Sequence, residues 1–215
     1  MKKVELWKCV LACVSCVFFL AGISEAVPAE RQTYQLWTFD GDDNPAAPEV
    51  DENPFGVATA RFTVTSPEDP LEPIVGPVWY QELSGRGGVW FGHPKLNASM
   101  WIPNRPEADQ YKEIWVEVGF QGYVDNFSLA PVPAGGIVRQ TEYAVVDEED
   151  NWKTLTLAWY IEPNPYEELL CIGIENTGAK IDYISIETIC VPEPASICIL
   201  AAGSAGLLLR RRRRP

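Results

Sequence analysis

The chain has 215 residues, with 17 basic and 30 acidic side chains, a net charge of −13 and one histidine. Residues 27–190 concentrate the imbalance, with nine basic residues against 27 acidic ones; phosphate would repel such a segment, which excludes nucleic-acid binding as a main activity. One imidazole also excludes chemistry that needs two, while residues 27–190 are enough for one domain burying roughly 70% of its extended surface.

At the N-terminus, Lys2, Lys3 and Lys8 precede an apolar run from Cys9 to Ile23, followed by Ser24-Glu25-Ala26. A basic start, a short apolar stretch and small residues at −3 and −1 predict a secretory signal peptide over residues 1–26, cleaved between Ala26 and Val27. The apolar run is short for a full membrane span. Val10-Leu11-Ala12-Cys13 only roughly matches a lipidation motif and lies too close to Lys8.

Period-2 patterning then runs through residues 27–190. Strands are expected at Tyr34–Phe39, Ala58–Val64, Ile74–Tyr80, Gly88–Phe91, Ala98–Ile102, Glu113–Gln121, Ile137–Val146, Lys153–Ile161, Leu169–Glu175 and Lys180–Cys190. β-Branched and aromatic residues dominate these runs, as a half-buried pleated surface requires. In the sixth, Ile114, Val116, Val118 and Phe120 share one side; in the eighth, Leu155, Leu157 and Trp159 do. Frequent prolines and the scarcity of 3.6-residue apolar stripes leave little room for helix. The expected fold is all-β, an antiparallel two-sheet sandwich of jelly-roll type.

The last 25 residues read Val191-Pro192-Glu193-Pro194-Ala195-Ser196, an apolar stretch from Ile197 to Leu209, then Arg210, Arg211, Arg212, Arg213, Arg214 and Pro215. As a helix at about 1.5 Å per residue the stretch reaches only about 20 Å, marginal for a hydrocarbon core of roughly 30 Å. The arginines would stay on the cytoplasmic side. A C-terminal membrane helix behind an exported domain is the expected arrangement.

Those three ordered parts (Pro192-Glu193-Pro194, a short helix containing Gly203 and Gly206, and the terminal arginines) resemble the PEP-CTERM sorting tail of exported bacterial proteins. The resemblance covers residues 191–215. It implies processing near Pro192, Glu193 and Pro194 by a membrane-embedded exosortase, after transient anchoring in the inner membrane. The destination it implies is the outer cell envelope or extracellular matrix. The body of the chain carries a vaguer likeness. Leu36-Trp37-Thr38-Phe39-Asp40, Asn53-Pro54-Phe55-Gly56 and Ile181-Asp182-Tyr183-Ile184-Ser185-Ile186 resemble exported domains that bear such tails. The closing segment is also similar to the last strand of lectin-like and carbohydrate-binding jelly rolls.

Several constellations carry chemistry on paper. Asp40, Asp42 and Asn44 place oxygens at alternating positions, the raw material of a weak calcium site, although Pro45 stands where an EF-hand loop needs Gly. Asp147-Glu148-Glu149-Asp150 reads as a charged hairpin tip. A glycosidase needs two facing carboxylates at roughly 5–5.5 or 6.5–9.5 Å; Glu113 and Glu117, about 13 Å apart along one strand, do not fit. His93, between Gly92 and Pro94, reads as a loop histidine. Trp37, Trp115 and Trp159 are expected in the core, whereas Trp79, Trp90, Trp101 and Trp152, near turns, are candidates for a sugar-stacking platform. Cys171 and Cys190 are the candidate disulfide of an oxidising compartment, though a hairpin turning at Asn176–Ala179 would pair Cys171 near position 184.

The sequence therefore predicts a signal peptide (1–26), an exported β-domain (27–190) and a sorting tail (191–215). It predicts a non-enzymatic surface or matrix protein without a catalytic site or required cofactor. Its partners are the export machinery, an exosortase-type enzyme and the membrane. A carbohydrate-binding module for surface polysaccharide, with calcium as candidate cofactor, is the alternative; a surface glycoside hydrolase ranks below it.

Overall fold

The computed structural model describes residues 32–66, 73–104 and 110–192. The alternating segments form ten strands: β1 (Gln32–Trp37), β2 (Val50–Asp51), β3 (Thr59–Thr65), β4 (Val75–Leu83), β5 (Arg86–His93), β6 (Lys95–Pro103), β7 (Gln110–Val132), β8 (Ile137–Asp147), β9 (Lys153–Glu162) and β10 (Glu167–Pro192). A 3-10 turn at Glu149–Asn151 is the helical element among the described residues. The all-β expectation holds.

The strands join in one antiparallel hydrogen-bonded sheet, where two separate sheets were expected. The cause is the length of β7 and β10, 23 and 26 residues, which pair with each other almost throughout. The start of β7 carries β9 and then β8 on its far edge, and the end of β10 carries β1 and β2. The start of β10 carries β6 and β3, and its middle carries β5 and β4. Leu169–Glu175 and Lys180–Cys190, expected as two strands, are thus one.

The expected turn at Asn176–Ala179 is a bulge instead. Pairing steps from Glu175 opposite Tyr123 to Lys180 opposite Gln121, and the Asn176 amide donates to the Pro94 carbonyl at 3.1 Å. Extra residues on one strand bend it and increase its twist. The consequence is visible across the molecule. Lys112 lies near the start of β7 and Glu168 opposite Pro131 near its end, roughly 60 Å apart on a straight strand. Their side chains nevertheless meet at 2.8 Å. The long pair folds over on itself, and the sheet curls round one core.

Gly122 makes that fold-over sterically feasible. Its φ is +130°, and a Cβ there would approach Ile174 Cγ2 to 2.8 Å and the Glu175 carbonyl oxygen to 2.9 Å. Gly122→Ala is expected to destabilise by about 2–3 kcal/mol, from backbone strain plus overpacking; the midpoint of chemical denaturation reads the loss.

Inward residues match the sequence pattern. Ile114, Val116, Val118 and Phe120 of β7, Leu155, Leu157 and Trp159 of β9, and Ile184 and Ile186 of β10 enter the same cluster as Phe62, Leu96 and Met100 from the other half of the sheet. At one end this core turns polar. Lys112 and Glu168, 1% and 0% exposed in their side chains, pair through both carboxylate oxygens at 2.8 and 2.9 Å. Asn104 Nδ2 donates to Glu168 Oε1, to Asn164 Oδ1 and to the Pro165 carbonyl, and Asn164 Nδ2 donates to Cys190 Sγ. The Thr33 and Thr188 hydroxyls pair beside them.

Candidate functional site

The outer face of β1, β10, β7 and β9 carries the residues that alternate with the core. Their order follows from register. Tyr34 is opposite Glu187, Glu187 opposite Trp115, and Trp115 opposite Ala158. One step away, Ser185 is opposite Glu117 and Glu117 opposite Thr156; one step the other way, Ile189 is opposite Glu113 and Glu113 opposite Tyr160. Ala158, Thr156 and Ser185 are the small side chains on this face, and the Tyr34 and Trp115 rings beside them are partly buried. The result is a shallow depression lined by Tyr34, Trp115, Glu117, Thr156, Ser185, Glu187 and Ile189.

Neighbouring contacts hold this face in place. Gln32 Nε2 donates to Glu187 Oε1 at 2.5 Å. Tyr111 and Tyr160 pack with ring centroids 4.8 Å apart, and the Arg139 guanidinium lies 5.2 Å from the Tyr160 ring centre. The Tyr160 hydroxyl donates to Glu162, whose carboxylate pushes the phenol up to about 12. Four aromatic rings and the carboxylates of Glu113, Glu117 and Glu187 thus share one surface. Rings offer an apolar, polarisable floor, and carboxylates accept strong hydrogen bonds from hydroxyl or ammonium donors.

The tryptophans redistribute relative to expectation. Trp37 and Trp159 are core, as read. Trp115 is not: it alternates with Ile114 and Val116, so it faces outward and is half-buried. Among the platform candidates, Trp90 and Trp152 are buried. Trp90 stacks on Phe62 at 4.8 Å, and Trp152 donates from Nε1 to the Ser84 carbonyl while Arg86 covers its ring at 4.6 Å. Trp79 packs against the core and donates to the Phe39 carbonyl. Only Trp101 is substantially exposed, with Nε1 on Glu167. The strict two-residue alternation around Trp115 was the signal that could have placed it outside; apolar neighbours outweighed it.

The calcium candidates lie on the loop after β1. Asn44 spends its side chain on the Phe62 backbone, Nδ2 donating to the carbonyl at 2.8 Å and Oδ1 accepting from the amide at 2.9 Å. Asp40 and Asp42 are exposed. Among the described residues no group of three or more His, Cys, Asp or Glu side chains converges as a metal site. The candidate disulfide is corrected. Cys171 faces outward beside the Ser99 hydroxyl and Cys190 faces the polar end of the core beside Asn164, so the two thiols are not bonded to each other. His93 sits in β5 at its junction with β6, not in an open loop.

The acidic tip between β8 and β9 works as a clamp. Arg86 pairs with Glu148, and its other nitrogen meets Asp182 at 2.6 Å, which pins the β4–β5 hairpin to the β8–β9 turn. The Thr154 hydroxyl, then Arg86, hold the Glu148 carboxyl below its usual range. A carboxyl depressed in the folded state adds stability above its unfolded value, roughly 4.3, and loses it as pH falls through the lower folded value. Arg86→Ala should therefore narrow the gap to wild type as pH drops below about 4; denaturation midpoints across pH 2–7 (roughly) check it.

Strand β10 extends two residues past the predicted domain end, with Val191 opposite Tyr111 and Pro192 opposite Gln110. Of the predicted sorting and cleavage residues, Pro192 closes that strand; Ala26, Val27, Glu193, Pro194 and Arg210–Arg214 lie outside the described residues. Among the described residues no helix is long and apolar enough to cross a membrane.

Comparison with known proteins assigns the C-terminus. Residues 191–214 match the family model described as the PEP-CTERM protein-sorting motif. The chain therefore carries the tail of an exported, cell-envelope-associated substrate of an exosortase-type enzyme. No curated protein and no solved structure matches the chain.

Proposed function

We propose that this is a non-enzymatic surface or matrix protein whose β-domain binds carbohydrate on the outer face of β1, β10, β7 and β9. In this reading the tail anchors it transiently in the inner membrane, processing releases it outward, and surface polysaccharide is its ligand. The curled sheet acts as a sandwich-like, jelly-roll scaffold, with its two halves as layers. One observation carries the binding role: the depression that sets Trp115 and Tyr34 beside Glu117 and Glu187. The C–H face of a pyranose ring is apolar enough to lie on such rings, while its rim hydroxyls donate to the carboxylates. With Asn44 committed to the Phe62 backbone, binding needs no calcium from that loop.

A glycan array probed with the protein recovered from the cell surface tests this, with and without calcium. Retention of one polysaccharide class is expected, insensitive to chelator. Trp115→Ala should reduce that retention at least tenfold, about 1.4 kcal/mol, with the denaturation midpoint as a control for folding. Equal retention by the variant would remove the face from the account.

One observation favours a second reading, a surface glycoside hydrolase. Glu117 and Glu187 are diagonal neighbours on β7 and β10, a relation that places side chains roughly 7–8 Å apart, within the inverting range of roughly 6.5–9.5 Å. Both lie on an open strand face, where water would compete with a bound sugar. Release of reducing ends from an array-positive glycan would favour the hydrolase over the binder.

A further inference from the structure

We propose that Lys112 and Asn104 become joined by an intramolecular isopeptide bond, with Glu168 as the acid–base catalyst. The three side chains meet at a single atom. Glu168 Oε1 accepts from Lys112 Nζ at 2.8 Å and from Asn104 Nδ2 at 3.3 Å, while Oε2 takes Nζ at 2.9 Å. Nucleophile and leaving nitrogen therefore flank the same carboxylate oxygen. Asn104 is further fixed by Asn164 Oδ1 at 2.5 Å and the Pro165 carbonyl at 2.9 Å, so its carboxamide is oriented rather than rotating. Lys112 and Glu168 are fully buried, and Asn104 is 9% exposed.

The site supplies what amide exchange needs. A dry pocket disfavours the charged pair, so the proton can pass from the ammonium to the carboxylate, leaving a neutral amine beside a carboxylic acid. Burial pushes the Glu168 carboxyl upward in the same sense. The Nζ lone pair attacks Asn104 Cγ and a C–N bond forms. Glu168 gives its proton to Nδ2 and takes one from the attacking nitrogen; the Cγ–Nδ2 bond breaks and ammonia leaves. Glu168 ends as it began the attack, and nothing is oxidised or reduced. Exclusion of water protects the reaction from hydrolysis, and fixed geometry replaces a collision.

The link would tie the end of β6 to the start of β7, beside the point where β10 leaves for the sorting tail. It would give an exported domain a covalent staple where Cys171 and Cys190 are not bonded to each other. It is independent of carbohydrate binding.

Tandem mass spectrometry of trypsin-digested, denatured protein purified from the envelope tests the proposal. The peptide spanning Asn104 and Lys112 should weigh less by one ammonia, resist cleavage after Lys112, and give no backbone fragments from between the two residues. Glu168→Gln, close in shape, should restore the full mass and the cleavage. A wild-type Lys112 that trypsin cuts overturns the proposal, including where ammonia is lost through a succinimide; so does a Lys112 linked to Asn164. A Glu168→Gln protein that retains the link overturns the catalytic role. Should that variant fail to fold, the wild-type peptide still decides.

Discussion

Replacing Lys112 with alanine is expected to destabilise the protein by about 3–5 kcal/mol, because it strands a fully buried carboxylate. Glu168 is 0% exposed and takes both of its ion-pair hydrogen bonds from Lys112 Nζ; the remaining Asn104 contact, at 3.3 Å, is neutral and long. Glu168→Leu should be comparably harmful, since it strands the lysine. The informative variant is the pair. Lys112→Met with Glu168→Leu removes both charges at similar volume, and should be less destabilised than either single change. Any covalent link to Asn104 is lost in all three variants, so the ordering isolates the charges. The pH response has a definite sign. Burial raises the Glu168 carboxyl, so the folded alanine variant binds a proton more tightly than the unfolded chain. Its stability should recover as pH falls toward the unfolded value of roughly 4.3 and decline as pH rises. Denaturation midpoints of the three variants across pH settle the ordering.

What the sequence made legible follows the range of its signals. Two-residue alternation placed Ile114, Val116, Val118, Leu155 and Leu157 inside, because a pleated strand with one buried face leaves no other choice. Alternation could not show that β7 and β10 continue past their apolar runs. Residues 123–132 alternate weakly, and Asn176-Thr177-Gly178-Ala179 has the composition of a turn. Only pairing with β7 and the contact to Pro94 turn it into a bulge. Long-range partners were equally hidden. Lys112 stands in phase with Ile114 and Val116, and Glu168 with Leu170 and Ile172, so alternation pointed both charges inward; that they meet became visible only with the fold-over. The outer face was missed for a different reason: Trp115 sits in the most apolar run, and hydrophobicity outweighed phase. The sorting motif of the tail was legible because its signal is ordered in sequence and needs no fold.

The second large effect concerns that tail. Replacing Pro192, Glu193 and Pro194 with alanines should leave export intact and abolish processing, trapping a full-length form in the inner membrane. The physical reason is conformational as well as chemical. Pro192 ends the pairing of β10 with β7, and Ile197, the first residue of the apolar stretch, follows after only four residues, Glu193–Ser196. If the apolar stretch enters a bilayer as proposed, four residues at about 3.5 Å each would keep the domain within about 15 Å of it. Prolines at 192 and 194 disfavour helix in this stretch of sequence, a restriction that alanines would remove. Cell fractionation should find the triple variant with the inner membrane and the wild type beyond it. Substituting Arg210–Arg214 should instead weaken retention before processing, since a cluster of arginines beside an apolar stretch is expected to stay on the cytoplasmic side.

Intact-mass analysis of the surface-localised protein tests the account most directly. The mature species should begin at Val27 and lack Ile197 to Pro215, the cut falling near Pro192-Glu193-Pro194. A surface form that still carries the apolar stretch and the arginines would contradict processing, and leave the tail as a membrane anchor alone.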